Sequence, residues 1–385
     1  MENSCLNTKQ SAYNVIFGVS KGYIKYAAVL MYGIILQAKD NQLMQLSMNA
    51  TRGGVSNDPF CFHILISDYD RDKSTENKLL SLQAELNILY PCKIKIHHIN
   101  EEIFLQTNAK SFDAESQKSM AGYYRILLGD ILESTLDKCL YMDADLLVLS
   151  DIRELFAIEF DEPCAAVCDE YVNHKRFIKS KKTNKRLNIS ANNYFNSGLM
   201  LINLKQWRKQ NIQSKTLAIL TEYECACKDQ DAMNYAINEN FYRLPPKWNL
   251  QTFLDMHHKQ EERTYLGETK NNLISWSRQE YEEALQNPKI FHLSAHKPWH
   301  SKYKALGLDY KPYLQEPYRS MWQDLARTTP IFGEELNKVI EQTKHHEFDD
   351  YVEALSKRLL QRDARIEKLY SVVRPFKMLK KILRF

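Results

Sequence analysis

The sequence is poor in glycine, which limits the kinds of nucleotide site it can contain. Only 11 of its 385 residues are glycine, and neither a GxxxxGKS/T loop nor a GxGxxG turn occurs. Both patterns cradle phosphates with closely spaced backbone N–H groups. Their absence argues against a P-loop enzyme and against a dinucleotide fold with the usual glycine turn.

Cysteine pairs, long apolar runs and a leader pattern are also missing. The eight cysteines include no CxxC pair, so their spacing predicts no zinc site. No apolar run approaches the roughly 20 residues that a bilayer-spanning helix needs. The first residues, MENSCLNTKQ, lack the charged and apolar regions of a secretory signal. The sequence thus predicts a cytoplasmic protein that is soluble or peripheral on a membrane.

The composition is that of a globular protein with one unusual segment. Hydrophobic residues make up 44% and charged residues 26% of the chain, and the length predicts about two or three units. The net charge of +4 is too small to indicate a nucleic-acid partner. Residues 351–385 nevertheless contain ten basic and three acidic residues, which leaves the rest of the chain slightly acidic. The tail and the body therefore need separate explanations.

Short apolar runs alternate with helical patterns up to about residue 300. Helix-period apolar residues occur from Tyr23 to Leu36 and from Leu79 to Leu89. Continuous apolar strands separated by amphipathic helices predict an α/β fold with a mostly parallel sheet covered on both faces. The strand pattern ends after Trp299, which places a boundary near residues 300–312. The predicted strands are Val15–Val19, Phe60–Ile66, Ile94–Ile99, Cys139–Met142, Ala165–Cys168, Phe195–Leu204 and Ile290–Leu293.

Asp-x-Asp occurs several times, and its surroundings differ. Asp143 and Asp145 lie between two apolar runs, where paired carboxylates are costly to desolvate unless a cation lies between them. Residues i and i+2 of an extended segment also face the same way. Asp68 and Asp70 instead lead into SDYDRDKSTEN, which is typical of a solvated turn. A metal ion is therefore predicted at Asp143 and Asp145.

A third ligand is expected at the end of a later strand. His292 follows Ile290 and Phe291, and Lys297 comes five residues further on. A single histidine in this position is more often a hydrogen-bonded core residue, but with Lys297 it indicates an ion beside a phosphate. Two carboxylates and an imidazole favour Mn²⁺ over the harder Mg²⁺, which is the alternative.

Five motifs in order then resemble one family. They are YMDADLLVLSDI, YFNSGLMLINLKQW, DQDAMNYA, KWN and HLSAHKPWH. Together they resemble glycosyltransferase family 8, most of all its bacterial lipopolysaccharide glucosyl- and galactosyltransferases, from about Asn14 to His300. The resemblance implies a GT-A fold, a UDP-glucose or UDP-galactose donor, Mn²⁺, a lipopolysaccharide acceptor and retention of anomeric configuration.

The resemblance also implies three groups of site residues. The implied metal ligands are Asp143, Asp145 and His292. The residues implied to act near the anomeric carbon are Gln230, Asp229 and Asp169. Those implied to bind the donor, through uridine, sugar or diphosphate, are Phe17, Gly18, Val19, Ser20, Tyr23, Arg125, Asp143, Ala144, Asp145, Asn196, Ser197 and Lys297. Trp248 and Asn249 would lie on the acceptor side.

Two departures from the family pattern bear on these assignments. Ser20 stands where many members have an acidic residue, which affects recognition of the base or ribose. The last motif usually has a glycine and one more residue between the histidine and the Lys-Pro-Trp. In this sequence the interval from His292 to Lys297 is shorter and contains no glycine, so His296 becomes a competing ligand.

Several site residues have simpler structural interpretations. Asn196 to Gly198 could form only a bulge or turn in a strand, and Arg125 could be a surface cation on a helix. Asp229 could be the N-cap of the helix that follows it. For the chemistry we favour attack by the acceptor hydroxyl on the face that UDP leaves, since no carboxylate nucleophile is evident. Double displacement through Asp229 or Asp169 is the alternative.

The basic tail has a helical apolar pattern of its own. Apolar residues recur at helical spacing from Tyr351 to Val373, and Pro375 is expected to end that helix and begin another. In residues 376–385 apolar and cationic side chains segregate, which is typical of a segment lying on an anionic membrane. The alternative is a helix packed on the body or on a second subunit. The predicted units are a catalytic domain at 13–305, a helical extension at 306–350 and the tail at 351–385.

Three other functions share some of these sequence features. A nucleotidyltransferase could use the same sheet and aspartate pair, but only Gly18 to Gly22 faintly resembles its basic glycine loop. A non-catalytic, membrane-bound relative would not need Asp143, Asp145, His292 and Lys297. A family member acting on another glycan or on a protein glycan is the nearest alternative.

Overall fold

The strands form where continuous apolar runs can be buried on both faces. In the computed structural model the described residues are 12–47, 58–107, 109, 119–251, 253, 263–294, 296–301 and 315–382. The strands are β1 Tyr13–Gly18, β2 Phe60–Ser67, β3 Cys92–Ile99, β4 Lys138–Met142, β5 Leu146–Val148, β6 Cys164–Cys168, β7 Phe177–Ser180, β8 Arg186–Asn188, β9 Phe195–Asn203, β10 Tyr223–Glu224, β11 Tyr242–Arg243 and β12 Ile290–His292.

The helices connect and cover these strands. They are α1 Ile24–Ser47, α2 Lys73–Leu89, α3 Glu102–Leu105, α4 Leu128–Ile131, α5 Arg153–Phe156, α6 Leu204–Lys209, α7 Ile212–Glu222, α8 Lys228–Ile237, α9 Arg278–Gln286, α10 Gln315–Thr328 and α11 Gly333–Ile382. Short polar side chains start several of them: the Asp72 carboxylate accepts bonds from the backbone N–H groups of Ser74 and Thr75 at the start of α2. Ser277 and Glu280 form a capping box on α9.

The central sheet has seven strands in the order β11-β6-β9-β4-β1-β2-β3. Strands β3, β2, β1 and β4 run parallel to one another. Strand β9 runs antiparallel between β4 and β6. The prediction of a mostly parallel α/β sheet is confirmed, and all seven predicted strands are present with ends shifted by one or two residues.

Alternate side chains of each central strand enter two separate cores. Val15 and Phe17 of β1 pack in one cluster with α1 and α2. Ile16 between them packs in the other, with Tyr124 and Trp207. This two-sided burial is why the strands read as continuous apolar runs.

Smaller sheets complete the fold, and β12 is the one strand in them that the apolar pattern predicted. β5 pairs antiparallel with β12, and β7 pairs antiparallel with both β8 and β10. The other four strands have two to four residues each, too short for a recognisable period. The first pair matters for function because it brings residue 292 beside residue 146.

The C-terminal helices pack on the body before the chain leaves it. Trp322 of α10 and Leu336 and Ile340 of α11 are buried in the same core as α1. The predicted boundary near residues 300–312 falls mostly within residues 302–314, outside the described residues, so the three-unit division stays a prediction. No helix in the described part of the chain is both long and apolar enough to cross a membrane.

The predicted helix break at Pro375 is wrong. α11 continues through this residue to Ile382. A helix can continue through a proline when water satisfies the carbonyl group that loses its N–H partner.

Candidate active site

Asp143 and Asp145 lie where β4 gives way to β5. The backbone N–H of Asp143 donates to the carbonyl oxygen of Gly198 on the neighbouring strand β9, at 2.8 Å. Two residues on, the carbonyl oxygen of Asp145 accepts from the N–H of Leu293 at 3.0 Å. These bonds fix the backbone at Asp143 relative to β9 and the backbone at Asp145 relative to the end of β12.

His292 completes a cluster with the two aspartates. It lies opposite Leu146 in the β5–β12 pair. One potential ligand atom from each of Asp143, Asp145 and His292 lies within 4.8 Å of the others. His292 Nε2 is 3.3 Å from Asp145 Oδ1. The three side chains predicted as metal ligands are thus brought together by the pairing of two short strands.

The ring of His292 is held from behind by Asn249. His292 Nδ1–H donates to Asn249 Oδ1 at 2.9 Å, and Asn249 is completely buried. Because an amide oxygen only accepts, this bond places the ring proton on Nδ1 and leaves the Nε2 lone pair facing the carboxylates. Asn249 Nδ2 in turn donates to Asn196 Oδ1 at 3.0 Å, which fixes the amide orientation.

Gly198 leaves the space in which this cluster sits. A Cβ atom at this position would lie 2.5 Å from His292 Cε1 and 3.0 Å from Asp143 Oδ2. Contacts this close do not occur, so the cradle exists only with glycine there. Two carboxylates and an oriented imidazole around such a space fit a divalent metal ion.

The charge balance of the cluster depends on Lys297. Its ammonium group contacts the Asp145 carboxylate and donates to the carbonyl oxygen of Ser294 at 3.2 Å. Burial would raise the pKa of Asp145, but Lys297 and His292 hold it well below its usual range. Burial lowers the pKa of Lys297, and Asp145 more than offsets this, so the pKa lies above its usual value. Lys297 therefore carries a fixed positive charge beside the predicted metal position.

Arg125 is buried between two carboxylates. Its guanidinium contacts Asp143 Oδ1 at 2.8 Å and Asp229 Oδ2 at 3.3 Å, and only 4% of the side chain is exposed. It also lies over the ring of Tyr141, 4.3 Å from the centroid. The interpretation as a surface cation is therefore wrong. Sequence could not reveal this, because the segment before β4 becomes interior only when α8 packs against it.

Asp229, Gln230 and Asp169 form a connected polar network with β9. Gln230 Oε1 accepts from the backbone N–H of Ser197 at 3.0 Å, and Gln230 Nε2 donates to Asp169 Oδ2 at 3.1 Å. Burial raises the pKa of Asp229 to about 6, although Arg125 opposes the shift. Burial likewise raises the pKa of Asp169. The three predicted catalytic residues are thus linked through Ser197 and held in fixed positions.

Two structural alternatives for these motifs do not hold. Asp229 is not the N-cap of α8, because the helix begins at Lys228 and the carboxylate that accepts from the Cys227 N–H belongs to Asp231. Asn196 and Ser197 are more than a bulge, since both line the cavity beside the cluster.

A cavity of about 800 Å³ opens in front of these groups. Phe17, which was predicted to bind the donor, does not line this cavity, because its side chain is fully buried in the core. Asp169 reaches the cavity only through Gln230 and Asn196. The predicted residues that line it are Gly18, Val19, Ser20, Tyr23, Arg125, Asp143, Ala144, Asp145, Asn196, Ser197, Asp229, Gln230, His292 and Lys297.

Nine lining residues are not among the predicted site residues. They are Tyr26, Ser119, Ala121, Gly122, Gly198, Cys227, Ser294, Trp299 and His300. Tyr26 and Trp299 stack with ring centroids 3.7 Å apart, which closes the cavity on the side of Lys297. Trp299 directly follows Lys297 and Pro298, so its place near the site could be inferred from the sequence. Its stacking partner Tyr26 lies on α1, and no sequence pattern connects the two residues.

His296, the competing ligand, faces away from the cluster. Its Nε2 bonds to the carbonyl oxygen of Ser301 at 2.7 Å, and its Nδ1 lies 2.8 Å from a guanidinium nitrogen of Arg319. Burial and Arg319 together lower the pKa of His296 to about 4. The shorter interval after His292 therefore leaves His292 as the histidine of the cluster.

The placement of Trp248 and Asn249 differs from the prediction. Trp248 packs in the core, and Asn249 lies behind His292. Neither side chain lines the cavity. The KWN motif therefore supports the histidine rather than forming an acceptor surface.

An α/β sheet of this topology with an Asp-x-Asp turn at a strand end is typical of glycosyltransferases with the GT-A fold. The family model described as Glycosyl transferase family 8 matches residues 14–303, most of the chain. The protein belongs to this family. The resemblance inferred from its five motifs is confirmed.

Similar proteins span most of the chain. General stress protein A of Bacillus subtilis is 31% identical over 228 residues, which cover 57% of this chain and 71% of that protein. A lipopolysaccharide 1,2-glucosyltransferase of Escherichia coli is 26% identical over 326 residues, covering 81% and 82%. A lipopolysaccharide 1,3-galactosyltransferase of Salmonella typhimurium is 22% identical over 339 residues, covering 87% and 86%.

Solved structures share the fold. The galactosyltransferase LgtC, in complex with donor and acceptor sugar analogs, has a TM-score of 0.53 at 18% identity and covers 85% of this chain and 99% of its own. The bifunctional glycosyltransferase WbbM has a TM-score of 0.59 at 16% identity. The match covers 86% of this chain but only 52% of WbbM, so this chain spans about half the length of that protein.

Proposed function

We propose that this glycosyltransferase transfers glucose or galactose from a UDP-sugar to a lipopolysaccharide core or lipooligosaccharide acceptor, with retention of configuration and with Mn²⁺. The observation that carries the proposal is the convergence of Asp143, Asp145 and His292 beside Lys297 in one cavity. The names of the Escherichia coli and Salmonella relatives support the hexose and the acceptor.

Asp143, Asp145 and His292 would hold the metal ion. When bound, such an ion supplies Lewis-acid stabilisation of the charge on the departing diphosphate. Lys297 adds a fixed positive charge at the same place, because Asp145 and the Ser294 carbonyl hold its ammonium group. With these charges the leaving group needs no protein general acid.

Attack on the face that UDP leaves fits the surroundings of Asp229. This carboxylate is 3% exposed and shared between Arg125 and Ser197, so little of it is available as a nucleophile. The amide of Gln230, held at both ends, is a poor covalent nucleophile. We therefore propose that the acceptor hydroxyl attacks directly while these groups position the sugar. Trapping of a glycosyl group on Asp229 or Asp169, detected by mass spectrometry, would contradict this mechanism.

The decisive experiment is a donor panel with and without metal. Slow hydrolysis of UDP-glucose, UDP-galactose and other UDP-sugars is measured with Mn²⁺, Mg²⁺ and chelator. We expect one UDP-hexose to be preferred and the rate to fall at least about 100-fold in Asp145→Asn. Asp68→Asn changes a partly exposed aspartate of another Asp-x-Asp, which pairs with Arg71, and serves as the matched control. Equal rates for Asp145→Asn and the control would refute the proposal.

The acceptor is tested separately from the donor. Purified lipooligosaccharide, a truncated lipopolysaccharide core and a non-lipid glycan are offered together with the preferred donor. Transfer to the core fractions alone supports the proposed acceptor. Transfer only to the other glycan would leave the donor chemistry intact and refute the lipopolysaccharide assignment.

We also propose that the last residues dock the enzyme on the inner face of the plasma membrane. Residues 374–385 contain five basic residues, one proline and no acidic residue, and each cation near an anionic surface contributes about 1 kcal/mol. Flotation with anionic liposomes should be lost in a chain that ends at Val373. Equal flotation of the full and shortened chains would exclude this segment as an anchor.

A further inference from the structure

The C-terminal helix α11 leaves the body of the protein. Its first turns are buried through Leu336, Ile340 and Thr343. From residue 351 to residue 371 every residue except Ala354 is exposed. At 1.5 Å per residue this part alone extends about 30 Å from the body.

The exposed part of α11 carries a regular apolar seam. We define the seam by Phe348, Val352, Leu355, Leu359, Ile366 and Leu369. Their exposed fractions run from 38% for Leu355 to 72% for Phe348. The intervals between successive positions alternate between four and three residues if Arg362 is counted between Leu359 and Ile366. Val373 continues the same spacing in the sequence after Leu369. An apolar repeat of 3.5 residues is the pattern of a coiled coil.

We infer that the seam is covered by the same seam of a second copy of this chain, in a parallel two-stranded coiled coil. An isolated helix gains little stability in water, and a row of exposed apolar residues of this length indicates a partner. In heptad positions, β-branched Val352 and Ile366 fall at a, and Leu355 and Leu369 fall at d. This arrangement favours parallel dimers over trimers and tetramers.

The charges beside the seam fit the same partner. In a parallel dimer each g residue faces the e residue five positions later on the other helix. Arg358 at g would face Asp363 at e, and Lys344 at g would face Asp349 at e. Both pairs are of opposite charge, and each occurs twice because the dimer is symmetric.

Arg362 is compatible with this seam although it occupies a d position. Its guanidinium reaches Asp363 of the same chain at 3.3 Å, and 66% of the side chain is exposed. Its long apolar stem can line the seam while the charge stays in water. A single polar residue within a seam also fixes the register of the two helices.

A parallel dimer has a consequence for the ends of the chain. Both C-terminal segments would leave the coiled coil at the same end, because the helices run in the same direction. Two basic segments side by side bind a surface more tightly than one, since the second binding event becomes intramolecular.

The first test is the mass of the full chain in solution. Sedimentation equilibrium at micromolar concentration should give twice the chain mass of 45.3 kDa. Leu359→Asp places a charge in the seam and should give the monomer. Leu360→Asp makes the same change one residue away, off the seam, and should remain dimeric. A monomeric full chain, or equal behaviour of the two variants, would overturn the inference.

The second test concerns the direction and register of the helices. Arg358→Asp alone should raise the dissociation constant of the dimer about tenfold, and adding Asp363→Arg should restore it. Leu369→Cys should form an intermolecular disulfide under mild oxidation, whereas Lys368→Cys on the outer face should not. If the double substitution does not restore the dissociation constant, the dimer is not the parallel coiled coil inferred from the seam.

A membrane is the other surface that could cover the seam, and one result would identify it. If the full chain is monomeric in buffer and Leu359→Asp, but not Leu360→Asp, abolishes flotation with anionic vesicles, the seam binds lipid. That result would overturn the dimer.

Discussion

Arg319 of helix α10 lies 2.8 Å from His296 Nδ1 and donates a hydrogen bond to the carbonyl oxygen of His300 at 2.7 Å. The loop that carries Lys297 is therefore held from the C-terminal side. Gln323 reinforces it by donating to the Pro298 carbonyl oxygen at 3.0 Å.

We expect Arg319→Met to weaken binding of the donor. Without the guanidinium the loop loses its bonds from Arg319 to His296 Nδ1 and to the carbonyl oxygens of Lys297 and His300, so the backbone that carries Lys297 is less well fixed. The KM for the UDP-sugar should rise about tenfold, with a smaller change in kcat. Arg319→Lys should not rescue it, because an ammonium group cannot bridge His296 and His300 at once.

The control for this prediction lies on the same helix. Arg327→Met removes a half-exposed arginine that pairs with Asp324 at the end of α10. Its KM should equal that of the wild type. A rise in KM as large as that of Arg319→Met would mean that the helix, and not the bond to the loop, decides donor binding.

Gly198→Ala should abolish metal-dependent donor binding. The new methyl group would lie 2.5 Å from a His292 ring that Asn249 holds in place, so the ring must move. We expect the affinity for UDP with Mn²⁺, measured by calorimetry, to fall about 100-fold. Gly22→Ala meets nothing within 4 Å and should bind normally. Normal binding by Gly198→Ala would show that the cradle is not the metal site.

Asn249 should act on metal affinity through His292 alone. Asn249→Leu removes the acceptor for Nδ1–H and should weaken Mn²⁺ binding by about 10- to 100-fold. Asn249→Asp keeps an acceptor and should retain most of the affinity. If the two variants bind the metal equally, orientation of the ring proton is not the role of this residue.

The stability of the protein should fall in mild acid through His63. This buried histidine donates from Nε2–H to Asn14 Oδ1 at 3.0 Å, and its Nδ1 lies 2.9 Å from His97 Nε2. Burial, followed by the charges of His97 and Lys95, lowers the pKa of His63 to about 3. Between that value and its usual pKa of about 6.5 the unfolded chain binds more protons, so the free energy of unfolding decreases as pH falls.

Urea unfolding at two pH values measures this effect. From about pH 7.5 to about pH 5.5, His63 should cost about 1.4 kcal/mol of unfolding free energy. His63→Gln should lose less stability over this interval than the wild type by that amount. His346→Gln, an exposed substitution on α11, should follow the wild type. A pH dependence unchanged in His63→Gln would refute the assignment.

Much of the catalytic body could be predicted because its signals are local. The strands around Phe62 and Leu140 are buried on both faces, so their apolar runs are continuous and visible. Asp143 and Asp145 are separated by a single residue, and their position between two apolar runs indicated that they share a cation. Short strands such as β5 and β11 gave no period. Pro375 predicted a helix break that is absent from the structure.

The support of the site could not be predicted, because it depends on contacts between distant segments. Asn249 orients His292 across 43 positions, and Arg319 holds His296 across 23. The KWN motif marks Asn249 without revealing its role, and no local pattern marks Arg319, since a buried asparagine or arginine looks the same in sequence whether it holds a ligand or caps a turn.

The sequence by itself determined the α/β class, the family and the identity of the charged groups, because apolar periodicity and motif order are properties of neighbouring residues. Only the tertiary structure decided which histidine joins the aspartates, that Arg125 is interior, and that the α11 seam faces water. Those features arise from β5 pairing with β12, from α8 packing on β9 and from α10 packing on α1 and α11. Such long-range packing leaves no mark on local spacing.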